Sequence, residues 1–351
     1  MNQLTRNLLC TAVALAFSGA ALASQPDANR YIVKFHDGAR GNAENAVRAA
    51  GGSVKLQISG TNAMAVSVPA AALNGLLIGG IYTLVASGLT LIYGVLHIIN
   101  FAHGSMLMLS MFGVYYLLTK LGIDPYLSLL VMVPLMFAVG YLLYKFLIGK
   151  LAKGKDENIL LITLGLSILI ENLALMFFKG DTRTISVSYS DTMVELGPHL
   201  VSLPKLISFG AAMLLCLILG LVIQRTDVGK AIRAVAKERV GARLVGIDVD
   251  KVFAISYGIG LATLGAAACL LMPIFYVSPS TGHVFVLVAF TVVVLGGMGS
   301  FVGAVVGGLL VGLTESFGGL FLGESLGQIG ISLIFILILL FRPSGLFGAK
   351  Q

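Results

Sequence analysis

Apolar residues gather into nine runs after residue 74, each closed by a short polar stretch. The runs fall at 75–96, 104–119, 125–147, 159–178, 205–224, 252–277, 284–295, 301–315 and 328–341. Crossing a bilayer core of about 30 Å takes ~20 apolar residues in a helix, so several runs are short. The pattern predicts an all-α polytopic membrane protein with eight or nine transmembrane helices. The run at 284–295 is broken by Gly296-Gly297-Met298-Gly299-Ser300 and resumes at Phe301. Interrupted helices often line a pathway, because irregular backbone at membrane depth is tolerated only against protein or water.

Before residue 74 the pattern is different. Arg6 precedes the apolar run 8–17, and small residues follow to Ala21-Leu22-Ala23. A positive start, a short apolar core and an A-x-A-like site predict a signal peptide over 1–23. Residues 30–35 then alternate like a strand, 42–50 suit a short helix, and 53–58 and 63–68 read as strands. The β-α-β-β order makes 24–73 a small partial α/β, ferredoxin-like segment with little core of its own.

Composition confirms the change of solvent. Hydrophobic residues make up 57% of the 351, charged residues only 11%, and mean hydropathy is +0.96. Soluble domains carry about 25% charged residues, so most of this chain belongs in lipid. The net charge of +7 therefore reads as loop topology, with membrane lipid as its partner and no nucleic acid. Lys150, Lys153 and Lys155, the basic stretch 225–251, and Arg342 with Lys350 all fall on one side. That side is cytoplasmic by the positive-inside rule, which leaves residue 74 outside and the C-terminus inside. A signal peptide exporting the N-terminus gives the same answer. Cys10, Cys216 and Cys269 lie in apolar segments and offer neither a disulfide framework nor a metal site.

The polar loop 225–251 carries seven basic residues against four acidic ones. Val228, Ile232 and Val235 share one helical face, Lys230, Arg233 and Lys237 take the others, and Asp227 sits where a cap is wanted. This predicts one or two short amphipathic helices along the membrane, held by anionic lipid or docking a cytoplasmic protein. Inside the spans, Glu171-Asn172 must face a partner or a cavity, and serves either as glue between helices or on a substrate path. Asn100 and His103 occupy a polar break between two runs and serve either as turn partners or on a substrate path. Gly296, Gly297 and Gly299 precede a helix start, whose N–H groups suit a carboxylate. Gly303, Gly307, Gly308 and Gly312 make two overlapping G-x-x-x-G pairs, a flat stripe for close packing.

Four stretches carry a family resemblance: 75–109 (GLLIGGIYTLVASGLTLIYGVLHIINFAHGSMLML), the loop GKAIRAVAKERVGARLVGI, 294–316 (VLGGMGSFVGAVVGGLLVGLTES) and FRPSGLFG near the end. Together they resemble the branched-chain amino acid permease family of ATP-binding-cassette importers, of the LivH type. Ser105 departs from that family, which usually has an acidic residue there. The resemblance implies a transport subunit rather than an enzyme. It also implies two cytoplasmic ATPase subunits holding ATP and Mg, a second related permease and a periplasmic substrate-binding protein. No G-x-x-x-x-G-K-[ST] phosphate loop occurs in the chain, so ATP hydrolysis is expected on the separate ATPase subunits, and no cofactor is expected on this chain. The ATPases would dock on the loop at Gly229, Arg233, Ala234, Ala236, Glu238, Ala242, Gly246 and Ile247. The implied cargo is a branched-chain or related amino acid, with urea or short amides as the alternative. The segment YIVKFHDGA…AVRAAGGSVKLQISGTNAMAVSVPAAAL resembles a truncated propeptide (inhibitor) domain of subtilisin-like proteases. Two other classes compete: a self-sufficient secondary transporter or channel, and a membrane-tethered protease-inhibitor module.

Overall fold

In the computed structural model the described residues are 30–34, 54–57, 63–152, 156–196, 199–322, 327–342 and 344–348. The expected signal peptide and the helix at 42–50 lie outside them. The described N-terminal backbone is a three-stranded antiparallel sheet of β1 (Arg30–Lys34), β2 (Val54–Gln57) and β3 (Ala63–Ser67), in the order β1-β3-β2. A ferredoxin-like α/β fold for 24–73 is not shown, because the helix it needs falls outside the described residues.

From Val68 onward the chain is helical. The helices are α1 (Val68–Leu96), α2 (His103–Leu121), α3 (Leu129–Leu143), α4 (Asp156–Phe178) and α5 (Leu203–Arg225). Two short helices follow, α6 (Asp227–Lys237) and α7 (Arg239–Leu244), then α8 (Val249–Leu271), α9 (Thr281–Gly296), α10 (Phe301–Leu322) and α11 (Gly327–Phe341). Among the described residues 7 helices are long and apolar enough to cross a membrane: α1 to α5, α8 and α10. Here α3 runs on through a π turn, Tyr144–Ile148, to Leu151. α9 and α11 are apolar but shorter. The eight or nine expected spans thus become seven long helices and two short ones. The expected run 252–277 stops at Leu271, because Pro273 cannot continue a helix.

Burial separates centre from periphery. The apolar windows of α1 and α8 are 89% and 83% buried, those of α4 and α5 only 22% and 28%. α1 touches α5, α8, α9 and α10. The outer faces of α3 and α4 show exposed Leu130 and Leu161, which suits lipid and would be a liability in water.

Helix α1 approaches α10 closely because both lack side chains at the seam. A Cβ on Gly308 would lie 2.7 Å from Thr83 Cα, and one on Gly79 would lie 2.8 Å from the Gly308 carbonyl oxygen. The Thr83 hydroxyl donates to Gly79 O at 2.9 Å and also reaches Val305 O across the seam at 3.2 Å. The predicted stripe splits in two. Gly308 and Gly312 face α1, while Gly303 and Gly307 face Gly296 and Val292 of α9.

The loop after α4 holds a hairpin absent from the sequence reading, β4 (Met193–Leu196) with β5 (His199–Ser202). Arg183 pairs with Val277 by backbone bonds of 2.8 and 2.9 Å. Tyr189 donates its hydroxyl to Asp124 Oδ2 at 2.7 Å and stacks on Tyr126. Burial and the neighbouring carboxylate push the Tyr189 hydroxyl above its ordinary range, so it stays a donor at neutral pH. Tyr189→Phe is expected to cost about 1 kcal/mol, since the loop is partly solvated. Amide exchange across residues 185–192 should quicken while the global melting midpoint barely moves.

Candidate functional site

The end of the bundle carrying α6 and α7 is built as a platform. Thr226, rather than the expected Asp227, caps α6 by accepting from Gly229 N at 3.1 Å. Asp227 pairs instead with Lys230 at 2.9 Å, which holds its carboxyl below the usual range. Both are exposed, so the pair adds little stability. Glu238 caps α7 through Val240 N, and Asp248 caps α8 through Lys251 N. Ile232 and Val235 are buried as predicted, but Val228 is exposed, and Gly229 takes its place against the bundle.

Two arginines fasten the platform. Arg233 Nη1 donates to Ile223 O at the end of α5. Arg239 Nη2 donates to Leu96 O, the last residue of α1, at 2.7 Å, and its guanidinium lies 5.2 Å over the Phe253 ring of α8. α7 is thereby tied to the two most buried helices.

The residues expected to dock a partner divide by burial. Gly229 is pressed against the Val222 and Ile223 carbonyls, and Ala242 is buried. Ala234, Ala236 and Ile247 are half-buried, while Arg233, Glu238 and Gly246 are exposed. Val240, Leu244 and Val245 project outward at 66%, 83% and 76% exposure. Leu244 and Val245 belong to the loop motif, but the sequence reading singled out neither them nor Val240 as contacts, because apolar residues beside a membrane protein's spans look like packing.

The same end holds the glycine break. Gly297 and Gly299 have φ of 99° and 86°, which side chains rarely adopt. Gly297 N donates back to Val293 O and Val294 O of α9, Ser300 N donates to Gly297 O, and Ser300 Oγ accepts from Gly303 N at 3.1 Å to cap α10. The FRPSGLFG tail returns across the break: Leu346 N donates to Leu295 O at 2.8 Å and Phe347 N to Gly296 O at 3.0 Å. A cleft of about 340 Å³ lies between break and α1, lined by Tyr93, His97, Met298, Gly299, Ser300 and Phe347.

Asn100 and His103 are buried between α1 and α2. Asn100 Oδ1 accepts from Ala102 N, and His103 Nε2 bonds Val85 O at 3.0 Å, so both hold the turn. Asn100 Nδ2 and His103 Nδ1 are buried without a hydrogen-bond partner among the described residues. Ser105 is buried and meets Ser167 of α4 at 2.6 Å.

Glu171 and Asn172 part company. The Asn172 amide donates to Ile168 O of its own helix, whereas Glu171 Oε1 lies 2.7 Å from His283 Nε2 at the start of α9. His283 had been no candidate at all.

The chain matches the family described as branched-chain amino acid transport system / permease component over residues 71–341. It is 31% identical over 298 residues to the high-affinity branched-chain amino acid transport system permease protein BraD of Pseudomonas aeruginosa, covering 79% of this chain and 95% of that one. It is 29% identical over 292 residues to LivH of Escherichia coli K12, a protein of the same description, covering 79% and 94%. A probable branched-chain amino acid transport permease protein LivH of Methanocaldococcus jannaschii is 28% identical over 276 residues, covering 76% and 88%. No solved structure matches.

Proposed function

This chain belongs to the family of branched-chain amino acid transport permeases, and from that premise we propose the working arrangement of an ATP-driven importer. The chain is its membrane-spanning, non-enzymatic subunit and carries branched-chain amino acids or close relatives across the inner membrane. Two cytoplasmic ATPases, a second permease and a periplasmic binding protein complete the assembly. The observation that carries this reading is the α6–α7 platform, polar overall, with Val240, Leu244 and Val245 projecting from it. Those side chains are the docking knobs for an ATPase, while Arg233, Ala234, Ala236 and Glu238 border them. Gly229 and Ala242 serve by seating the platform on the bundle.

Orientation follows from the basic loops. The platform and the C-terminus lie in the cytoplasm, and residue 74 and the hairpin β4–β5 face the periplasm. Residues 1–23 act as a signal peptide, 24–73 are an exported propeptide-like appendage, and 74–348 do the transport. ATP-driven closure of the ATPases presses on α6 and α7, and the Arg239 tie passes that movement to α1 and α8. The pathway runs past Asn100, His103 and the glycines 296, 297 and 299.

The test is reconstitution in liposomes with the ATPases, second permease and binding protein. Leucine uptake should require internal ATP and the binding protein. Uptake by this chain alone without ATP would make it a secondary transporter or channel and overturn the importer reading.

A further inference from the structure

Glu171 and His283 share an unusual address. At 1.5 Å per residue, Glu171 lies about 10 Å inside the periplasmic end of α4. α9 has 16 residues, a length of about 24 Å that falls short of a bilayer core of about 30 Å. Its first turn, with His283, meets Glu171 at that depth. The surroundings are apolar and exposed: Ile168 and Leu175 on α4, Val284 and Leu287 on α9. The His283 side chain is itself 65% exposed and that of Glu171 is 21% exposed. Ionisable side chains at membrane depth face a pathway or a partner by default. The positive end of α9 also opens here, and such an end favours a carboxylate.

We propose that Glu171 and His283 form a gate that reads the zwitterion of the transported amino acid. The incoming α-ammonium takes Glu171 Oε1 from His283. The α-carboxylate takes the freed imidazole N–H at the first turn of α9. Each group of the closed pair thus has a hydrogen-bond partner on the substrate, and opening leaves neither one bare. An amine without the carboxylate, or an acid without the ammonium, completes only half of the exchange. The apolar neighbours suit an aliphatic side chain. This inference rests on the importer reading above, and it assigns a substrate-recognition site to that pathway.

The test uses the full reconstituted complex and leucine. Glu171→Gln should lower maximal uptake at least tenfold, with the half-saturating concentration, which the binding protein sets, and ATPase recovery unchanged. Glu171→Asp should restore part of the loss. The decisive variant exchanges the two residues, Glu171→His with His283→Glu. It restores the interhelical pair, so the protein should accumulate and melt like wild type. It also places a carboxylate where the substrate's own must go, so uptake should stay at least tenfold down. Wild-type uptake from the exchanged variant would show mere interhelical glue and overturn the gate. So would undiminished uptake by Glu171→Gln. Uptake is expressed per reconstituted complex, so a variant that accumulates poorly still reports whether transport is lost. If the wild-type complex itself shows no ATP-driven leucine uptake, the importer reading fails first.

Discussion

Gly308→Leu is expected to strip the protein from the membrane. The site lies where α10 crosses α1, the helix that also contacts α5, α8 and α9. A Cβ there would sit 2.7 Å from the Cα and 2.7 Å from the N of Thr83. Those are backbone atoms of a buried helix, so no side chain can swing aside. The helices must separate, and the Thr83–Val305 bond across the seam breaks with them. Membrane helices gain no hydrophobic drive for pairing and rely on such close packing. Overpacking costs about 1–3 kcal/mol where neighbours adjust and more where they cannot. Against a total of about 5–15 kcal/mol, that is a large share. Each ~1 kcal/mol lost lowers the folded-to-unfolded ratio about fivefold, and because quality control continuously removes the unfolded fraction, membrane levels should fall several-fold. The control is Gly165→Leu on α4, where an added Cβ meets nothing within 4 Å. Equal accumulation of the two variants, measured by quantitative immunoblot, would refute the seam.

How much of this was readable beforehand differs by scale. Apolar runs located the long helices, because crossing lipid imposes a length and a composition on each span. The G-x-x-x-G stripe was visible, but its division between α1 and α9 was not. A helix with small residues on adjacent faces does not say which neighbour takes which face. The hairpin β4–β5 was missed because a four-residue strand leaves little alternation to detect. Thr226 and Asp227 are both competent caps, and the helix begins at Asp227, which leaves Thr226 with its extended backbone at the cap. Long-range polar contacts were least legible of all. Glu171 demanded a partner, yet nothing in the sequence pointed to His283, 112 positions away. Arg239 looked like one of many loop cations until its guanidinium was found on Leu96 O, 143 positions away.

That last contact separates two jobs the loop performs, and two substitutions should tell them apart. Leu244→Glu alters a side chain 83% exposed on the platform. Burying a leucine against a partner contributes about 1.5–3 kcal/mol, and a carboxylate in its place loses at least that. Tenfold in affinity corresponds to about 1.4 kcal/mol, so ATPase co-purification should drop at least tenfold. Arg239→Ala leaves the knobs in place but frees α7 from α1 and from the Phe253 ring. A charge-assisted bond contributes about 1.5–3 kcal/mol, and the stacked cation about another 0.5–2 kcal/mol. Without that tie, ATPase closure moves the platform and not α1. The Arg239→Ala complex should therefore retain its ATPases and hydrolyse ATP, while leucine uptake falls at least tenfold. Arg239→Lys keeps the charge but not the planar fork, so it should rescue only part of the loss. ATPase recovery, hydrolysis and uptake measured on the same preparations give each variant its own pattern. If Arg239→Ala lost its ATPases, the arginine would belong to the docking surface. If it kept full uptake, the path of movement would have to run through Arg233 and α5 instead.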